Sequence, residues 1–312
     1  MAGLGEARHR SRNSAAARLR LTTEVPPEIT GPLATLPAVL NMRLKLLKQI
    51  LAVPTCSRQE ERMVAFLREH VRRRGVKRCG EIITDQWNNV FIRKGRADYY
   101  PCVAAHLDTV QPLRPVEIVQ QGGVLIGLDK QGQRAGLGAD DKAGVFVCLE
   151  LLERFDDLAV LLFAAEEIGC VGARHASDAW FQDAGYVIEF DCPGRGLVSY
   201  TSSGERLFAN GGEFIQTAAP VLQAHELTRW QRHPYSDVMA LRQRFALSCL
   251  NLSCGYHNWH QANEYVAVAE VAAAVKAGEA LVEALGCRSY PFATAANDLA
   301  APLFAVTDLQ IV

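Results

Sequence analysis

From Met42 onward the apolar positions of this chain fall into regular patterns whose period changes several times. MRLKLLKQILAVP puts Leu44, Leu47, Ile50 and Leu51 at helical spacing and stops before Pro54. SRQEERMVAFLREHVRRRG predicts a second amphipathic helix ended by Gly75, with Ser57 as N-cap and Glu60 three residues on in capping-box position. EIITDQWNNVFIRKG reads as a β-hairpin turning near Trp87-Asn88-Asn89, and VEIVQQGGVLIGLD as another turning at Gly122-Gly123. Between them lies a strand, Cys102 to Ala105. Gly136 and Gly138 then mark a tight loop, after which Asp140, Asp141 and Lys142 open a helix running to about Phe155. The apolar run Ala159 to Ala165 is too short for a helix and lies between Asp156-Asp157 and Gly169, so it reads as a buried parallel-type strand. A Gly-punctuated loop leads from it into a short helix ending near Phe181. Strands are expected at Tyr186 to Phe190 and Leu247 to Cys254. A long helix follows the NEYV lead and ends near Gly286. Residues 195–245 are harder to read, apart from Ser236-Asp237 as a helix cap, and residues 287–312 carry no interpretable motif.

Alternating strands and helices make this an α/β chain. Its 312 residues allow one large domain or two ordinary ones, and an apolar content of 49% is enough for a large core. A net charge of -1 gives no sign of a nucleic-acid surface. No apolar run reaches the roughly 18 residues that would span a membrane, so a soluble protein is expected. The nine cysteines are scattered and odd in number, which predicts reduced, mostly buried thiols and a cytoplasmic location. Residues 1–41 differ from the rest, being Arg-, Ala- and Ser-rich and then Pro-containing. A transit peptide is one reading. Glu6 and the lack of an apolar face favour a disordered extension instead.

The candidate chemistry sits where the strands stop. In open α/β sheets ligands collect at the carboxyl ends of strands. Here one strand delivers His106 and Asp108, another Glu166 and Glu167, a third Asp191, and a fourth Tyr256, His257 and His260. His-x-Asp in an extended segment points both side chains the same way, so Asp108 could orient a metal-bound His106. Acidic residues in a helix's first turn are expected on dipole grounds alone. A Gly-rich approach, two Asp and a Lys exceed that need, and one of these carboxylates could bridge two ions. The mixed imidazole and carboxylate set suits Zn²⁺, and also Co²⁺ or Mn²⁺. A carboxylate bridging two ions is the geometry of two-metal hydrolases. Glu166, not needed as a ligand, would take a proton from the attacking water and pass it to the leaving amine.

AHLDTV, GLGADDKAG, AAEEIG, EFD and HNWHQANEYV, in this order, resemble the co-catalytic zinc exopeptidases: the peptidase T-like and carboxypeptidase-G2-like M20 family with its M28 and M42 relatives. The resemblance covers roughly residues 42–285. It implies a three-layer α/β/α fold with a mixed, mostly parallel central sheet. It implies a catalytic domain at 42–286 and a tail at 287–312. It also implies that His106 and Asp191 hold one metal each, that Asp140 bridges, and that Glu167 and a late His complete the other ion's ligands, with Asp108 orienting His106 and Glu166 as general base. The family pattern puts the bridging Asp two before the Lys, hence Asp140 rather than Asp141. It puts the late His just before the Asn-Glu-Tyr-Val lead, hence His260, with His257 as competitor.

The departures concern the lid. M20 enzymes insert a domain between the last Asp ligand and the late His, but Asp191 to His260 spans only 69 positions. M42 enzymes insert one between the first His and the bridging Asp, but His106 to Asp140 spans only 34. The chain therefore reads as a bare core, nearer M28 in architecture. Tyr235-Ser236-Asp237, Arg206 and Arg229 are candidates for what a lid would supply. The expected activity is di-metal hydrolysis of a terminal peptide bond, as an aminopeptidase or di/tripeptidase. The alternatives are an N-acyl amino acid deacylase and a catalytically silent metal-binding assembly protein. A homo-oligomer could shield the exposed cleft. Neither a G-x-G-x-x-G nucleotide loop nor a G-x-S-x-G nucleophile elbow is present.

Overall fold

Four buried apolar strands side by side set the frame. In the computed structural model, which describes residues 43–110, 117–233 and 235–292, they are β3 (Tyr100–His106), β7 (Leu158–Phe163), β8 (Ala184–Cys192) and β12 (Cys249–Ser253). They run parallel in the order β7-β3-β8-β12. Such strands are covered on both faces and so read as continuous apolar runs. Their carboxyl ends meet along one edge of the sheet. The flanks are largely antiparallel: β1 (Glu81–Thr84) and β2 (Val90–Lys94) extend one side. On the other side lie β9 (Leu197–Ser202) and β10 (Glu205–Arg206), with β11 (Arg229–His233) parallel to β9. The result is a nine-stranded mixed sheet, parallel at its centre.

Helices cover both faces. On one face, α3 (Ala139–Arg154) packs with α7 (Val268–Leu285), which ends at Gly286. Gly278 of α7 lets that helix close on the sheet: a Cβ there would stand 2.8 Å from Phe190 and from Leu151. Glu189, the residue before Phe190, points the other way, toward the start of α6 (Asp237–Phe245). Helices α1 (Leu44–Leu51), α2 (Glu61–Arg74), α4 (Val171–His175) and α5 (Glu213–Ala224) complete the layers.

Several sequence expectations shift by a few residues. The second helix begins at Glu61 rather than after Ser57. The capping box does not form, because Asp108 and a distant turn compete for its members. Ser57 Oγ donates to Asp108 Oδ2 at 2.6 Å, and Glu60 Oε1 accepts the Arg58 and Ala165 amides at 2.7 and 3.2 Å. Ser236 does stand at the N-cap of α6, yet its hydroxyl meets Ser202 Oγ at 3.3 Å rather than a helix amide. Residues 195–245, which showed little pattern in the sequence, add strands to the main sheet and two helices over it.

The segment between His106 and Asp140 holds more than loops. Its β4 (Glu117–Gln121), β5 (Val124–Leu128) and β6 (Arg134–Ala135) join β13 (Tyr256–His257) and β14 (Tyr265–Ala267) in a second, antiparallel sheet of five strands. This sheet carries the last candidate ligand loop to the main sheet's edge.

Residues 1–41 and 293–312 lie outside the described residues. Cys287 to Phe292 pack on the sheet: Tyr290 is buried and its amide donates to Gly185 O at 2.8 Å. All nine cysteines are free, eight of them buried. Among the described residues no helix is long and apolar enough to cross a membrane.

One polar cluster under α2 sets a pH expectation. Burial first, then the positive charge of Arg43, holds His70 below the ordinary imidazole range; Arg74 adds to this and Glu153 opposes it. Its other titratable neighbour is Cys79. A base depressed in the folded state binds its proton better when unfolded. Stability is therefore lost as pH falls through about 6.5, the unfolded value. His70→Gln is expected to flatten the dependence of urea-unfolding stability on pH between about 7 and 5; an unchanged slope would reject the assignment.

Candidate metal centre

Each candidate residue reaches the edge by its own route. His106 is the last residue of β3, and its ring is buried. Its Nδ1 lies 3.1 Å from Asp108 O and 3.4 Å from Asp108 Oδ1. That contact leaves Nε2 facing outward, 3.0 Å from Asp140 Oδ1, 3.5 Å from Asp191 Oδ1 and 4.0 Å from Glu166 Oε2. On the far side, His260 Nε2 lies 2.9 Å from Glu167 Oε1 and 3.3 Å from Asp140 Oδ2. Two groups of ligand-type atoms thus form, His106–Asp140–Asp191 and Asp140–Glu167–His260, each within 4.8 Å. Asp140 belongs to both, one oxygen to each.

The backbone explains why Asp140 can serve two groups. Helix α3 starts at Ala139, but Asp140 and Asp141 depart from helical φ/ψ, so their side chains are not held to one helical face. Asp141 turns inward instead. Its Oδ2 accepts the His106 amide at 3.2 Å and its Oδ1 the Gly144 amide at 3.0 Å. Asp108 is fully buried and joins two strand ends. Besides Ser57 it accepts the amides of Glu166 and Glu167, at 2.9 and 3.3 Å. Asp191 is held by Asn251, whose Oδ1 accepts its amide at 2.9 Å. His257, the competitor for the last position, faces away: its Nε2 meets Glu270 at 2.6 Å and its ring stacks on Tyr265.

The electrostatics call for positive charge. Burial raises Glu166 well above the carboxylate range, with His106 opposing and Asp191, Asp237 and Asp140 adding. Burial likewise raises Asp191 and Glu167. Burial would raise Asp140 too, but its hydrogen bonds to His106 and His260 prevail and hold it low. In return, Asp140 and Glu167 push His260 up to about 10. For His106 burial works downward, yet Asp108, Asp140 and Asp191 hold it well above its ordinary value. Crowded buried carboxylates with imidazoles drawn to them fit divalent cations by charge and by donor type. The other metal-capable group, His70, Cys79 and Glu153, does not fit one. Glu153 is already bound by the guanidiniums of Arg43 and Arg74, which occupy the place of positive charge.

Sequence reasoning missed Glu264. It is fully buried and accepts four consecutive amides from the loop that ends in Asp140: Leu137 and Gly138 at 2.6 Å, Ala139 at 2.8 Å and Asp140 at 3.3 Å. Its place in the NEYV lead marked it only as a neighbour of His260. Of the lid substitutes, Arg206 bonds its near neighbour Asn210, and Arg229 bonds the Arg195 carbonyl 34 residues earlier. Tyr235 feels the charge of the centre: burial, then the charges of Glu166 and Glu167, push its hydroxyl up to about 12.

Residues 88–285 match the family model described as peptidase family M28. No curated protein matches. Among solved structures, the aminopeptidase PepT from Bacillus cereus ATCC 10987 is 14% identical with a TM-score of 0.63, the match covering 78% of this chain and 97% of that one. A tripeptidase from Staphylococcus aureus subsp. aureus Mu50 is 14% identical with a TM-score of 0.61, covering 78% and 97%. The TET1 peptidase of Pyrococcus horikoshii is 13% identical with a TM-score of 0.55, covering 76% and 98%. At these identities the likeness is one of fold.

Proposed function

The chain belongs to peptidase family M28 and is a metallo-exopeptidase, and from that premise we propose that it uses two divalent ions, Zn²⁺ in the first place, to cleave a peptide bond at a chain end as an aminopeptidase or di/tripeptidase. The observation that carries the reading is the double membership of Asp140, one oxygen toward the His106 group and the other toward the His260 group. In this reading His106, Asp140 and Asp191 hold one ion, and Asp140, Glu167 and His260 the other. When bound, the ions would polarise the scissile carbonyl and acidify the attacking water.

The protein's own groups do the rest. Asp108 fixes the His106 tautomer and, through the Glu166 and Glu167 amides, the distance between the two strand ends. Glu166 belongs to neither ligand group, and its Oε2 lies 4.0 Å from His106 Nε2, at the inner side of the centre. It takes the proton from the water and delivers it to the departing amine. Residues 42–286 are assigned this catalytic work.

A homo-oligomer and a cytoplasmic location are part of the reading. The TET1 peptidase, whose fold this chain shares, can assemble into a tetrahedron or a large octahedral shell. His260 is exposed, so the outer half of the centre is open to a neighbouring subunit. Nine free thiols support a reducing compartment.

The test is metal content per chain of purified protein, paired with hydrolysis of aminoacyl-arylamides, dipeptides and N-acyl amino acids before and after chelation. Two ions per chain and chelator-sensitive cleavage of free peptides are expected. A chain that binds no metal after reconstitution would refute the reading, and preference for N-acyl substrates would make it a deacylase.

A further inference from the structure

Resting on that reading of the centre, we propose that Glu264 is the positioning residue of the bridge: its carboxylate fixes the loop 137–140 so that Asp140 can face both ligand groups. The loop needs an outside anchor. Gly138 sits in the left-handed region at φ 59°, and Asp140 and Asp141 are not helical, so the amides before them are not arranged as an ordinary helix start. They converge on one place, and that place is the Glu264 carboxylate. Oε2 takes Leu137 and Gly138, and Oε1 takes Ala139 and, more weakly, Asp140. Consecutive amides pointing to one side make an anion nest, and bonds to an ionised acceptor are the strong ones.

The same residue connects the two halves of the centre. Glu264 follows His260 by four positions, on the loop between β13 and β14. Arg134 adds a second tie on the main-chain side, its Nη2 donating to the Asn263 and Glu264 carbonyls at 2.8 and 3.0 Å. Lys142 bounds the loop from inside the fold, with Nζ 3.3 Å from the Leu137 and Leu51 carbonyls. A Cβ at Gly138 would sit 2.5 Å from Thr109 Cγ2 and 3.3 Å from Lys142 Nζ, so the loop cannot relax in that direction. Residue 264 therefore sets the separation between a bridging carboxylate and a ligand imidazole, which such sites tolerate to only about 0.5 Å.

Glu264→Gln keeps the size of the side chain but turns an NH₂ toward two of the four amides. Three measurements are made on metal-free protein: thermal unfolding, amide exchange at 137–140, and titration with Zn²⁺. A folded variant is expected, with faster exchange confined to that loop and the second ion bound about 10–100-fold more weakly. Unchanged exchange and unchanged second-ion affinity would overturn the proposal. If Glu264→Gln does not fold, Glu264→Asp, which keeps the charge and shortens the reach, is measured in the same way. Failure of both to fold would also overturn it, because Glu264 would then hold the fold rather than the bridge. Should the wild type bind no second ion, the reading of the centre falls, and exchange alone decides whether Glu264 holds the loop.

Discussion

Glu166→Gln is expected to lower kcat by about 10²–10⁴-fold while leaving two metal ions per chain, the signature of a lost proton carrier rather than a lost ligand. The substitution is nearly isosteric. It preserves the packing of a buried side chain whose Oε1 lies 3.7 Å from Cys170 Sγ. It also leaves untouched the Glu166 amide, which Asp108 uses to align the two strand ends. What it removes is the ability to gain and lose a proton. Burial and the surrounding carboxylates favour the protonated form of Glu166. Cations in the neighbouring ligand groups would favour the carboxylate, so the group is set to change state as charge develops nearby. KM should change little, because Glu166 is not assigned to binding, and the whole loss should appear in kcat. A variant that keeps near-wild-type turnover would remove Glu166 from the mechanism. One that loses an ion would make it a ligand.

Much of this centre could be read from the sequence because each group stands where a pattern breaks. β7 is an uninterrupted apolar run and β8 an apolar one broken only by the buried Glu189, so the charges at Glu166, Glu167 and Asp191 mark where the two strands run out, at one edge of the sheet. What could not be read depends on partners far away in the chain. Ser57 and Glu60 form a good capping box on paper, but Asp108 is 51 residues from Ser57 and takes its hydroxyl. Glu264 shows no periodicity or spacing that links it to Leu137, 127 residues earlier. The segment 195–245 was opaque for another reason. β11 lies at the side of the sheet with none of its residues buried, so it lacks both an apolar run and a clean alternation. The second sheet was half legible. The β4–β5 hairpin follows from Gly122-Gly123, whereas the three-residue β14 that pairs with β5 carries too little pattern of its own.

The choice between the two adjacent aspartates leads to the other large effect. Asp140→Asn is expected to abolish tight binding of the second ion and to lower kcat/KM by at least about 10³-fold, since losing one Lewis acid forfeits several kcal/mol at about 1.36 kcal/mol per decade. An amide has only one oxygen to offer. If it faces His106 and Asp191, the NH₂ faces His260 and Glu167, where it cannot bind a cation; turned round, the inner group loses its share. Asp141→Asn is the matched control. Asp141 accepts the His106 and Gly144 amides, so its oxygens serve the backbone rather than either ligand group. Its loss should lower folding stability by about 1–3 kcal/mol, the cost of an impaired buried hydrogen-bond partner, with both ions retained in the folded fraction. The two variants separate the roles through metal titration and denaturant unfolding on the same preparations. If Asp141→Asn loses the second ion and Asp140→Asn keeps it, the bridge lies one residue later than the geometry indicates, and Glu264, which grips the amides up to Asp140, would be holding the approach to the bridge rather than the bridge itself.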